Sequence, residues 1–329
     1  MSDNAGLVEQ GDLDELTRQV ERLVSAADWD GLVDLHDRCR RALERGKQLW
    51  PVAAHAAYRL ALQAPGRWAA SALESTTARF ALGPLPEVAA STHSWDELSP
   101  SINIGPAAAV ALQERVIRGD DLRDDARAVS MPPVFELPLV LQEWEPAYAV
   151  ADYRPDKADF PMPVVAAPFH TVALPAHRAP RVDDHDACRA LTELARAWTT
   201  ESNGRAEAVA VRGDGMDAVA ALGVTRSRMA AVSAHDGLAV MAWVGASGGA
   251  HGRRRGAAAG RYAAWWALVA LAGALDEWPL PADELGELAT ELRWHLWDAG
   301  EPETGWTFHL AIEDPAEGMA WAVSATDSA

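Results

Sequence analysis

Apolar residues recur at three- and four-residue spacing along the first 118 positions. Leu13, Leu16, Val20, Leu23 and Val24 share one face with charges between them, which predicts an amphipathic helix over 12–26 behind an acidic first turn. Leu32, Leu35, Cys39 and Leu43 predict a second over 30–45, with Gly46 placed to end it. Pro51 opens a third that runs through Leu60 and Ala61 to Pro65-Gly66. A fourth holds Trp68, Leu73 and Phe80, and a fifth runs from Pro106 to Arg118. Short turns between such segments point to stacked helical hairpins. The residues around Trp29 and Trp68 match at an offset of 39, pairing Arg40 with Arg79 and Leu43 with Leu82. That is the size of a HEAT-like two-helix unit, yet two copies are fewer than a solenoid needs, so an irregular bundle stays open as well.

The helical period stops at residues 131–180, which hold ten of the twenty prolines. Phe135, Trp144, Tyr148, Tyr153, Phe160 and Phe169 lie there too, more aromatics than a solvated linker carries. The segment reads as an extended, packed strap with short edge-like strands near 134–142 and 164–174. After Asp183 the pattern predicts a helix over 185–200 with a left-handed cap at Asn203-Gly204, a strand over 208–211, a helix over 215–222 and a strand over 229–232. Helices over 254–275 and 283–299 follow, the second closed by Gly300. A hairpin ends the pattern: Trp306, Phe308, Leu310 and Ile312 alternate on one face, and Met319, Trp321 and Val323 do so after a turn at 314–318. The expected fold class is α+β. It comprises a helical domain over 1–118, a Pro-rich connector over 119–182, and a small α+β or α/β domain over 183–329.

Composition narrows the function. With 29 Lys and Arg against 48 Asp and Glu the chain carries −19, the wrong sign for following a phosphate backbone, so no nucleic-acid partner is expected. Lys47 and Lys157 are the only lysines and neither sits in a Gly-rich setting, which removes lysine Schiff-base and phosphate-loop lysine chemistry. Cys39 and Cys188 are too few and too far apart for a disulfide framework or a cysteine zinc site, which fits a reducing cytoplasm. The acidic first sixteen residues lack the apolar core of a secretory signal, and the apolar run from Tyr262 to Leu275 is too short to span a bilayer. A cytoplasmic location without membrane association is expected.

One segment stands out chemically. Residues 245–261 contain six glycines and four arginines, and no acidic residue lies between Asp236 and Asp276. Gly248, Gly249, His251, Gly252, Arg253, Arg254, Arg255 and Arg261 read as an anion cradle: glycines let backbone N–H groups approach a ligand, and arginines add forked hydrogen bonds. A phosphate, nucleotide or carboxylate would fit, and no particular cofactor is implied. The competing reading pairs these arginines with acidic residues of the C-terminal region, leaving a structural protein without a ligand. Gly245-Ala246-Ser247-Gly248-Gly249 also has the Gly-x-Ser-x-Gly spacing of a nucleophile elbow, with His309 downstream and His251 as a nearby acid/base candidate. Against this, Ser233 and Asp236 form a capping box, which predicts a helix where an elbow needs a strand. Asp183, Asp184, His185 and Asp186 read as an N-cap and acidic first turn rather than a metal cluster, so no metal site is expected. The first expectation is therefore an intracellular binding or adaptor protein, its helical domain offering a protein-contact surface; a Ser247- or His251-dependent enzyme is the alternative.

Overall fold

The amphipathic spacing of the N-terminal region folds as helices, in a computed structural model that describes residues 4–74, 81–176, 179–300 and 305–328. They are α1 (Asn4–Gln10), α2 (Leu13–Ser25), α3 (Trp29–Glu44), α4 (Trp50–Gln63), α5 (Gly66–Ala72), α6 (Leu85–Thr92), α7 (Trp95–Leu98), α8 (Pro106–Ile117) and α9 (Ala126–Val129). Asp12 caps α2 by accepting the Asp14 and Glu15 N–H groups, and Leu16, Val20 and Leu23 turn inward. Gly46 adopts the left-handed conformation just past α3. Helix α4 is buried on nearly every side from Val52 to Leu62, which explains its weak polar face and makes it the centre of this unit. The 39-residue match joins elements of unlike length: Trp29 opens the 16-residue α3, whereas Trp68 sits in the seven-residue α5 and donates to Asp30 at 2.9 Å. Arg79 and Phe80 lie outside the described residues.

The Pro-rich stretch is divided between two compact units. Met1–Val134 and Val150–Phe160 form the helical unit, and Phe135–Ala149 joins Pro161–Ala329 in the second. In the helical unit, β1 (Asp152–Tyr153) and β2 (Ala158–Asp159) make a small antiparallel ladder, and the Tyr153 hydroxyl donates to the fully buried Glu87 at 2.6 Å. The strand anticipated near 134–142 does not form, since Pro133 and Pro138 remove ladder donors.

The second unit is built on a seven-stranded antiparallel sheet in the order β3-β6-β7-β8-β9-β5-β4. Its elements in chain order are β3 (His170–Val172), β4 (Arg181–Val182), α10 (His185–Leu194), α11 (Arg196–Thr200), β5 (Arg205–Arg212), α12 (Gly215–Ala221), β6 (Ser227–Val232), α13 (Ala234–Ala246), α14 (Ala257–Leu271), α15 (Ala282–Glu291), β7 (Arg293–Asp298), β8 (Trp306–Asp314) and β9 (Met319–Asp327). The chain as a whole is α+β. The expected hairpin is β8 and β9, with Ile312 opposite Trp321 and Leu310 opposite Val323.

Two expectations fail here for physical reasons. The helix anticipated over 283–299 stops at Glu291, and residues 293–298 become β7, paired with β6 and β8. Both faces of β7 are covered, so its sequence, Arg-Trp-His-Leu-Trp-Asp, shows no apolar alternation. Gly204 is not left-handed; a Cβ there would press on the Trp198 carbonyl, and close approach is what the glycine provides.

One sheet face packs Phe308, Leu310, Ile312 and Trp321 beneath α10 and α13. The other packs Val209, Val211, Trp297, Ala311 and Ala322 against α12. The two edge strands come from the same Pro-rich segment. β3 and β4 lie at opposite edges of the sheet, roughly six strand spacings of ~4.8 Å apart, and the link between them joins those edges. Leu174 and Ala179 of this link lie on the α12-side cluster. Both edges are thereby occupied by short strands, a common protection against edge-to-edge pairing. No described helix is long and apolar enough to cross a membrane.

Candidate ligand-binding site

Helix α10 begins at Asp184, whose carboxylate accepts the Ala187 N–H at 3.1 Å and the Trp321 indole N–H at 2.8 Å. This is the capping role expected of the acidic cluster, and it fastens the helix to β9. Ala187, Ala190, Leu191 and Leu194 face inward. Asp186, Arg189, Glu193 and Arg196 follow at helical spacing along one outer edge. Helix α14 is apolar nearly all round because it is covered by α10, α13 and α15, and Gly260 lets it pack closely against the Ala242 carbonyl of α13. Tyr262, Ala263 and Trp266 are its half-buried side.

The edge of α10–α11 and this side of α14 enclose a cleft of about 330 Å³. Arg189, Arg196 and Arg255 line it together with Tyr262 and Trp266. Arg255 precedes Gly256, whose φ of +99° opens α14, and its backbone N–H donates to the Ala246 carbonyl at 2.7 Å. Its guanidinium has no hydrogen-bond or ion-pair partner among the described residues. Its side chain is exposed, yet the packing around it removes enough hydration to lower its pKa from the usual value, and the neighbouring Arg196 adds to that, while Glu193 and Glu201 act in the opposite sense. Arg196 meets Glu193 only at 3.3 Å on an exposed surface.

The remaining residues of the Gly/Arg segment are placed differently. Gly248 and Gly252 cross so closely that a Cβ on either would strike the other's backbone, and Gly249 has φ +68°. Four of the loop amides already have acceptors. Gly249 N–H donates to Ser247 Oγ (3.0 Å), Ala250 N–H to the buried Asp327 (2.6 Å), His251 N–H to Ser202 Oγ (3.2 Å) and Arg253 N–H to Glu201 (3.1 Å). The glycines thus let a loop fold onto the end of β9 instead of presenting N–H groups to a ligand. Arg253 and Arg254 are also engaged within the chain.

Arg261 is not a ligand-facing residue. It is fully buried and forms an ion pair with the equally buried Glu145, at 2.7 Å from Nε and 2.6 Å from Nη2, while the Pro138 and Val140 carbonyls accept its other N–H groups. Tyr148 Oη and Trp265 Nε1 donate to the same carboxylate at 2.6 and 2.9 Å. Burial by itself would raise the Glu145 pKa; the Arg261 guanidinium outweighs it and holds the carboxyl below its ordinary range. Burial also pushes the Tyr148 hydroxyl well above its usual value. The role of this arginine is structural, but its carboxylate partner comes from the Pro-rich segment and not, as the competing reading expected, from the C-terminal region.

The nucleophile-elbow geometry is absent. Ser247 is buried, with φ −78° and ψ 148°, at the end of α13, which the Ser233–Asp236 capping box opens. No histidine bonds it among the described residues. His251 lies exposed on the loop. His309 stacks on Trp297 with centroids 4.3 Å apart, and burial lowers its pKa. Burial raises Cys39 to about 12 and, with help from Asp184 and Asp183, Cys188 to about 11, so neither is an activated thiol.

Arg255 is the one sequence-level candidate that reaches the cleft. The α10 edge was readable as an Asp-Arg-Glu-Arg stripe at helical spacing, and Trp266 was hidden inside an apolar run that reads as pure core. The chain belongs to the family of unknown function DUF6183, which covers residues 14–329 and therefore both units. No curated protein and no solved structure matches it.

Proposed function

We propose that the second unit is a binding module for a small anionic ligand, held in the α10–α14 cleft instead of on the amides of the glycine loop. The observation that carries this is Arg255: an arginine without a partner, next to a second arginine, lining a concave site with an apolar floor. Its charge is retained while part of its hydration is lost, and an anion would supply the missing hydrogen bonds. Arg189, also without a side-chain partner among the described residues, adds a second free guanidinium on the α10 edge. The volume falls at the small end of the range for small-molecule sites, which favours a metabolite-sized ligand.

The test is thermal shift and calorimetry of the full chain with inorganic phosphate, mononucleotides and carboxylate metabolites at fixed ionic strength. A ligand at a hundred times its Kd stabilises by about 2.7 kcal/mol and raises the midpoint by several degrees. Arg255→Ala is expected to weaken binding by roughly ten- to a hundredfold, the worth of one hydrogen bond to a charged group. Absence of any shift with every anion, or equal affinity in the variant, overturns the proposal.

A further inference from the structure

We infer that the ligand of this cleft carries a single flat ring beside its anionic group, with the ring lying along Tyr262 and Trp266 and the anion at the Arg196–Arg255 end. This rests on the anion reading of the same cleft. Tyr262 and Trp266 are one turn apart on α14, and their rings are near parallel, 6.1 Å between centroids at 27°. Both remain half-buried, while the residues between and after them on the helix, Ala264, Trp265 and Ala267 through Leu271, are buried.

The two rings are braced from behind. Trp278 stands edge-on to each, at 6.0 Å and 86° to Tyr262 and at 5.7 Å and 70° to Trp266, and Phe135 packs on Tyr262 at 5.3 Å. Their orientation is thus fixed before a ligand arrives, which lowers the entropic cost of binding. Neither the Tyr262 hydroxyl nor the Trp266 indole N–H has a partner among the described residues, so the wall offers donors at its edges as well as π faces. The opposite wall is Ala190 and Leu194, small enough to admit a ring. Asp186 lies three turns from Arg196 on the same edge, whereas at the other end Arg196 and Arg255 stand against the single carboxylate of Glu193, and this excess of positive charge gives the site a polarity. At about 330 Å³ the cleft takes one ring and one anionic group but not a dinucleotide.

Three probes separate ring from charge in calorimetry of the full chain: inorganic phosphate, cyclohexyl phosphate and phenyl phosphate, with cyclohexanecarboxylate and benzoate as a parallel pair. Stacking beyond area burial predicts that the aromatic member binds about two- to tenfold tighter than its saturated counterpart. Trp266→Leu and, independently, Tyr262→Leu are expected to reduce that ratio toward one. Arg255→Ala is expected to weaken every probe alike. Equal affinity for phenyl and cyclohexyl probes in the wild-type protein, with the Arg255 effect intact, overturns the ring inference and leaves the anion site standing. No binding by any probe overturns both.

Discussion

Arg255 and Arg261 lie six positions apart in one Gly/Arg segment, and composition gives them the same reading. What separates them is Glu145, 116 residues away from Arg261 in sequence, together with the carbonyls of Pro138 and Val140. No local pattern carries that information, so the segment was legible as unusual while the roles of its arginines were not. The two positions consequently have opposite expected phenotypes. Arg261→Met leaves a buried carboxylate without its counter-ion and is expected to cost about 3–5 kcal/mol in urea unfolding, part of which Glu145→Leu in the same chain restores. Arg255→Ala, on an exposed side chain without partners, is expected to stay within about 0.5 kcal/mol of wild type. Because Glu145 titrates below its ordinary value of 4.5, the stability it contributes is present above that pH and is lost as acid protonates the folded form. Arg261→Met should therefore flatten the acid limb of a stability profile below about pH 4.5, as measured by denaturant titration at a series of pH values.

At the scale of elements, what could be read depended on how much of each helix or strand meets water. Helices α2 and α3, with one wet face, were visible from spacing alone, and their Asp caps and Gly46 fixed the ends. Strand β7 was misread as helix because burial on both sides erases the two-residue alternation, and α14 concealed its cleft-lining rings in a continuous apolar run. The crossing of α13 and α14 depends on Gly260, where a Cβ would strike the Ala242 carbonyl and approach Ala246 at 3.0 Å. Gly260→Ala gains helix propensity worth about 1 kcal/mol, but separating two backbones costs more, and a net loss of about 1–2 kcal/mol in thermal unfolding is expected. The glycine loop has a comparable dependence on β9. Asp327→Ala removes the acceptor of Ala250 N–H and of Ser202 Oγ, so faster amide hydrogen exchange at Ala250 is expected, together with a loss of about 1–3 kcal/mol.

For the whole molecule, pH near neutrality acts through buried histidines, among them His36 on α3 and two on the α12 side of the sheet. Burial lowers the pKa of both His295 and His309 from 6.5, with Glu313 and Asp214 opposing it for His295 and Asp298 for His309. A base whose folded pKa is depressed binds its proton more readily when unfolded, so stability should fall as pH drops below about 6.5. The midpoint of thermal unfolding is expected to decline between pH 7 and 5, and a His295→Gln/His309→Gln variant should show a shallower decline. Architecture at this scale was only partly readable, since the change from helices to mixed structure is plain in the periodicity but the allocation of the Pro-rich stretch is not. Residues 135–149 and 150–160 both mix proline with aromatic residues, the second stretch being the more charged, and they belong to different units. That interleaving governs how the protein is made. A ribosome releases Val134 before the residues that finish the helical unit, so the Tyr153 hydroxyl that Glu87 accepts from is still inside the exit tunnel when the ninth helix emerges. Glu145 leaves the exit tunnel 116 residues ahead of Arg261, which at roughly 5–20 residues per second is a wait of about 6–23 s with its carboxylate in water. Nascent chains halted at residue 134 should accordingly be digested by protease more readily than chains halted after residue 160, and the second unit should acquire protection only when its last strands have been translated.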